Sequence, residues 1–213
     1  MRRGRMRRAV FTAVIFALAC AGRASASTLG DFAEAWSKVD NYSCSIVVHE
    51  TKGSDVQDRK YDFWFKKPTL AKIEITSGPG RGSGSVWHGG DTVVGHQGGL
   101  LRGIKMTVSI HDSRAVSLRG DTMDTASFAH ILSVFQKGSA TEGPPQTING
   151  AATDALVRTA DASAENGVTK DVVYLSKATH LPVRRVRYAG DAIVKQEDFV
   201  DVKLNPGLTD NDF

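Results

Sequence analysis

Cysteine is almost absent: the 213 residues contain two, Cys20 and Cys44. Cys20 lies in a segment expected to be cut away, so the remaining chain cannot form an internal disulfide and must be stabilised by burial. Metal-ligand spacing is missing as well. His49, His88, His96, His111, His130 and His180 never stand three to five residues apart, and Cys44 is remote from all of them. No zinc pattern results, and neither a metal nor a cofactor is expected. A Gly-x-Ser-x-Gly nucleophile elbow is lacking, and nothing in the chain favours a hydrolytic triad or any catalytic residue. The stretch Gly78-Pro79-Gly80-Arg81-Gly82-Ser83-Gly84 has no Lys-Ser/Thr after it and runs into strand-like residues, so it reads as a hairpin loop and not a phosphate cradle. These absences argue against an enzyme.

The N-terminus is where charge and apolarity concentrate. Arg2, Arg3, Arg5, Arg7 and Arg8 precede a run of 13 residues, Ala9 to Ala21, and then Ala24-Ser25-Ala26. A helix of that length cannot cross a hydrocarbon core of about 30 Å. Residues 1–26 therefore read as a signal peptide, with 27–213 as one exported domain. Ala17-Leu18-Ala19-Cys20 also resembles a lipobox, which gives the alternative of a lipid anchor through Cys20. The full chain carries +4, but the leader holds six arginines and no acid, so the remainder has 21 basic against 23 acidic residues, a net −2. No nucleic-acid partner is expected.

Beyond the leader, Thr28 to Asn41 has Leu29, Phe32, Trp36 and Val39 on one helical face, with Thr28 as N-cap. The period then becomes two. Tyr42, Cys44, Ile46 and Val48 share a face, as do Tyr61, Phe63 and Phe65, then Ala71, Ile73 and Ile75, then Ile104, Met106, Val108 and Ile110. Cys44 reads as a buried structural thiol. A second helix is expected after Asp124, with Phe128, Ile131, Leu132 and Phe135 as its stripe and His130 at the core edge. Thr141 to Gly150 reads as a loop. Further strands are expected at about 154–159, 168–176, 182–188 and 192–204. Arg184, Arg185 and Arg187 read as a solvated strand surface, with Arg184 facing away from the other two. The sum is an α+β domain, mainly antiparallel β, with a few helices packed on one face of the sheet.

Phe63, Phe65, Ile73, Ile75, Met106, Val108 and Ile110 line one sheet face, and Phe128, Ile131, Leu132 and Phe135 are placed to cover it. Two uses fit: a packed core, or a cavity for an acyl chain. Composition does not separate them.

The segment Asp62-Phe63-Trp64-Phe65-Lys66-Lys67-Pro68-Thr69-Leu70 resembles the Asp-aromatic-Trp-aliphatic-Lys-Arg-Pro strand end of the periplasmic lipoprotein carrier LolA and its relatives. Gly90-Asp91-Thr92-Val93-Val94 resembles the turn and strand that follow there. Leu181-Pro182-Val183 through Asp201-Val202-Lys203-Leu204-Asn205 to Asp212-Phe213 is similar to the tails of LolA-like exported proteins. The resemblance implies an open, curved half-barrel with helices as a lid over an apolar interior. It implies a monomeric carrier of lipid or acylated lipoprotein, meeting inner- and outer-membrane transport components, or an envelope sensor or protein-interaction module on the same fold. It also implies a lid tether at the residue before proline. That residue is Lys67, not arginine, and it lacks the planar fork for bidentate contacts.

Overall fold

The computed structural model describes residues 27–213; the leader, its Ala24-Ser25-Ala26 site and Cys20 lie outside the described residues. The chain opens with α1 (Thr28–Ser37), capped by Ser27, whose hydroxyl accepts from the Gly30 amide at 3.2 Å. The cap is thus one residue earlier than the sequence predicts, and the helix ends four residues before Asn41. The reason lies at the other end of the chain. The Asn205 side-chain oxygen accepts from the amides of Asp40 and Asn41, which start a strand instead of another helical turn.

Twelve strands follow in one sheet. They are β1 (Asn41–Lys52), β2 (Asp55–Lys66), β3 (Leu70–Ser77), β4 (Gly84–Trp87), β5 (Thr92–His96), β6 (Lys105–Ser109), β7 (Thr141–Gly143), β8 (Thr147–Ile148), β9 (Ala151–Thr159), β10 (Lys170–Ser176), β11 (Pro182–Ala189) and β12 (Ala192–Leu204). Their order is β6-β5-β4-β3-β2-β1-β12-β11-β10-β9-β7, with β8 beside β9, and every pairing is antiparallel. Two meanders are therefore joined through β1 and β12, and the sheet stays open and curved. The expected 141–150 loop contains the short β7 and β8, held by the edge of β9.

The second helix, α2 (Phe128–Lys137), is capped by Ser127 and not by Asp124. Met123–Ala126 forms a 3-10 turn ahead of it. Between β6 and that turn, residues 111–122 run across the inner face as a strap without regular structure.

Both helices cover one end of the inner face, where aromatic residues close the core. Tyr42 stacks on Phe128 with centroids 4.3 Å apart and planes 7° from parallel, and its hydroxyl accepts from the Phe128 amide at 3.1 Å. Trp36, Phe63, Phe65 and Phe199 complete the cluster. Cys44 is buried in it, as expected, and burial pushes its thiol pKa up, so it is a structural thiol. Among the described residues no helix is long and apolar enough to cross a membrane.

Candidate functional site

The strap does not fill the space beneath it. A cavity of about 570 Å3 lies between it and β2–β6. The register shows why the space is there. One inward row runs Phe63, Ile73, Ser85, Gly95, Met106 from β2 to β6. Serine and glycine occupy the two central strands, where larger side chains would meet the strap. Gly95 cannot easily be enlarged, because a Cβ there would stand 3.2 Å from the Gly84 carbonyl. Ile73, Ile75, Val93, Met106 and Val108 form the apolar wall, and Met123 and Ala126 face them from the strap side. Exposed Arg81, Gln97 and Arg114 mark the rim. Leu100, Leu101 and Ile104 are exposed just beyond it, so Ile104 does not share the buried face of Met106 and Val108.

Of the residues read from the sequence as an acyl cavity, Ile73, Ile75, Met106 and Val108 meet around this space. Phe63, Phe65, Ile110, Phe128, Ile131, Leu132 and Phe135 are buried in the packed core and do not line it. The cause is the tight stacking of α2 on Tyr42 and α1, which leaves the irregular strap, not a helix, as the roof. Lys67 does not border the cavity. Its ammonium donates to the Trp36 carbonyl in the last turn of α1, at 2.7 Å, and burial lowers its pKa against the pull of Asp40.

A second feature went unread in the sequence. Across β1, β12, β11, β10 and β9 one inward row reads Glu50, Lys195, Arg187, Asp171, Arg158. All five are buried. Arg185, two residues from Arg187 on the same face, joins them by donating to Asp171 at 2.8 Å and 3.1 Å. Arg185 and Arg187 are therefore not a solvated surface. Arg184 does face the other way, where it pairs with Asp198.

The strap is fastened to this row. Glu50 accepts from the Ser117 hydroxyl at 2.8 Å and from the Leu118 and Arg119 amides at 3.1 and 3.2 Å. Asp121 accepts from both Arg187 terminal nitrogens and from Lys195 at 2.8 Å. Burial works against the Asp121 carboxylate, but Lys195 and Arg187 outweigh it and hold its pKa far below the usual range. Burial also works against the Lys195 ammonium, and there Glu197 and Asp121 prevail and raise the pKa.

Part of this ionic region borders the cavity: Arg59, Asp121, Lys195 and Glu197 are on its wall. The site is therefore two-sided, apolar over β3–β6 and charged over β2 and β12. The signal that marks the charged side is an alternation of ionisable residues at inward positions, Glu50 after Val48, Lys195 before Glu197, Asp171 before Val173. It becomes visible only once the strands are paired.

No protein-family model matches the chain, and no curated protein matches it in sequence. Solved structures do match in fold. An uncharacterised conserved protein from Thermus thermophilus aligns over 87% of this chain and 89% of its own, with a TM-score of 0.56 at 11% identity. The lipoprotein LppX of Mycobacterium tuberculosis aligns over 85% and 95%, with a TM-score of 0.51 at 15% identity. A LolA superfamily protein from Nitrosomonas europaea aligns over 88% and 96%, with a TM-score of 0.45 at 12% identity. At such identities the likeness is one of fold. The open, curved half-barrel expected from the sequence is the architecture found.

Proposed function

We propose that this chain is an exported, non-enzymatic binding protein that takes an acyl chain into the cavity under its strap. The acyl chain belongs either to a free lipid or to a lipoprotein, and the role is transport between membranes across the periplasm. The observation that carries this reading is the inward row Ile73, Ser85, Gly95, Met106, which leaves about 570 Å3 of space with an apolar wall over β3–β6 instead of a filled core. That volume falls within the few hundred to about 1,000 Å3 that buries a small ligand. Each buried methylene contributes about 0.8 kcal/mol, so a dozen carbons supply roughly 10 kcal/mol before ordering costs.

Entry is at the rim formed by the Gly78–Gly84 loop and the β5 end. The strap is too firmly fastened at Glu50 and Asp121 to serve as the door. Lys67 keeps α1 seated on the aromatic core, and so belongs to the frame around the site. The test is organic extraction of the protein purified without detergent from its own host's periplasm, followed by mass spectrometry. Acyl lipid in near-stoichiometric amount is expected. An extract free of acyl lipid, from protein that also fails to take up added fatty acid, overturns the reading.

A further inference from the structure

Glu197 is 1% exposed and stands on the cavity wall, yet among the described residues neither of its carboxylate oxygens has a hydrogen-bond partner. Lys195 is 3.2 Å from one oxygen and Arg187 is 4.0 Å from the other, so charge is near, but neither contact is aligned as a hydrogen bond. Both cations direct their bonds to Asp121 instead. Glu50, Asp121 and Glu197 thus share the ion pairs of Lys195 and Arg187, and Glu197 is the one of the three left without a directed bond. Arg119 is a further buried cation, but its guanidinium donates to the Thr51 and Asn166 carbonyls and supplies no bond to Glu197.

Arg59 has the opposite deficiency on the same cavity. It lies in the same cross-strand row as Glu197, with only Val48 of β1 between them. Its Nε is buried and unpartnered, and among the described residues it forms no ion pair. Two strand spacings, roughly 10 Å, separate the two backbones, and both side chains reach the same space. Arg59 is only half-buried, but Glu197 is fully buried, and a buried charge without directed partners is costly unless something supplies them.

We infer that this end of the cavity is a head-group site for a zwitterionic amphiphile, its ammonium bonded to Glu197 and its anionic oxygen to Arg59, while the acyl chain lies along Ile73, Ile75, Met106 and Val108. The inference deepens the acyl-binding reading and rests on it. A plain fatty acid satisfies Arg59 but brings a second negative charge to Glu197. A phosphoethanolamine head satisfies both, since its ammonium donates three hydrogen bonds and its phosphate accepts.

The test compares lysophosphatidylethanolamine, lysophosphatidic acid and dodecanoate as competitors of a fluorescent fatty acid, with wild type, Glu197→Gln and Arg59→Gln. In the wild type the ethanolamine lipid is expected to bind about tenfold or more tightly than the other two. Glu197→Gln is expected to remove that preference while dodecanoate binding persists or tightens. Arg59→Gln weakens all three, because each offers an anionic oxygen. If Glu197→Gln does not fold, the ligand series on wild type and Arg59→Gln decides alone. Equal affinity for the three ligands in the wild type overturns the head-group site and leaves acyl binding standing. Failure of all three to bind, with the fluorescent probe also unbound, overturns the acyl reading itself.

Discussion

Lys67 caps α1 through Trp36: its ammonium donates to the Trp36 carbonyl at 2.7 Å and lies 4.4 Å from the centroid of the same residue's indole. One cation thus satisfies a carbonyl near the helix C-terminus and covers the aromatic face behind it. Replacing it with methionine keeps the stem and removes the charge. Lys67→Met is expected to lose about 1–2 kcal/mol in urea unfolding. Acyl-probe affinity is expected to stay within about twofold, because α1 does not border the cavity. A large loss of affinity with stability unchanged would assign Lys67 to ligand retention.

Asp121 is the strap's main ionic fastening. Asp121→Asn removes the carboxylate that bonds both Arg187 and Lys195, with Glu50 and Glu197 still within 4.0 Å of them, and is expected to cost about 1.5–3 kcal/mol. The thermal midpoint should fall accordingly, and limited proteolysis should begin within residues 111–122 before it reaches the sheet. A variant as stable as wild type would show that the strap is held by its apolar contacts alone.

His130 is expected to contribute to the response to mild acid. Burial, and after it the charge of Arg185, lowers its pKa, against the weaker pull of Asp124. An imidazole that resists protonation in the fold is protonated more readily when unfolded. Its contribution is therefore whole above the ordinary histidine value and is lost as pH falls below about 6.5. Asp121 and Asp171, whose pKa values are held below the usual range, keep their contributions in that window. Stability is expected to decline between about pH 7 and pH 5, and His130→Gln should flatten that decline. An unchanged slope in the variant would place the sensitivity elsewhere.

The period-two strands, both helices and the antiparallel sheet were legible in the sequence because half-buried strands and amphipathic helices leave regular patterns; that the sheet is open and curved was legible only through the family resemblance. Four of the cavity residues, Ile73, Ile75, Met106 and Val108, were legible for the same reason. The roof was not. The strap has neither period, and its position depends on Glu50 and Asp121 meeting partners from distant parts of the chain. Arg185 and Arg187 looked solvated because a charged residue at an inward position is the exception that local pattern cannot flag. Only pairing of β10, β11 and β12 brings Asp171 and Lys195 beside them. The cavity itself came from what is small, Ser85 and Gly95, and small residues carry little signal until they share a row.

Core and cavity should separate under substitution. Phe128 is fully buried and stacked on Tyr42, so Phe128→Ala is expected to cost about 3–5 kcal/mol. Val108 borders free space, so Val108→Trp should be accommodated with a loss under about 1.5 kcal/mol, since the added ring fills a void and does not overpack a core. Equal destabilisation by the two, measured by urea unfolding, would mean that the cavity walls are as tightly packed as the aromatic cluster.

The most direct test of acyl-chain binding is equilibrium titration of residues 27–213 with a fluorescent fatty acid, run beside the folded Val108→Trp variant. Saturable binding at one site per chain is expected in the wild type, with a loss of about tenfold or more in Val108→Trp at an unchanged far-UV spectrum. Binding that is absent in the wild type, or that survives Val108→Trp undiminished, would contradict an acyl chain held under the strap.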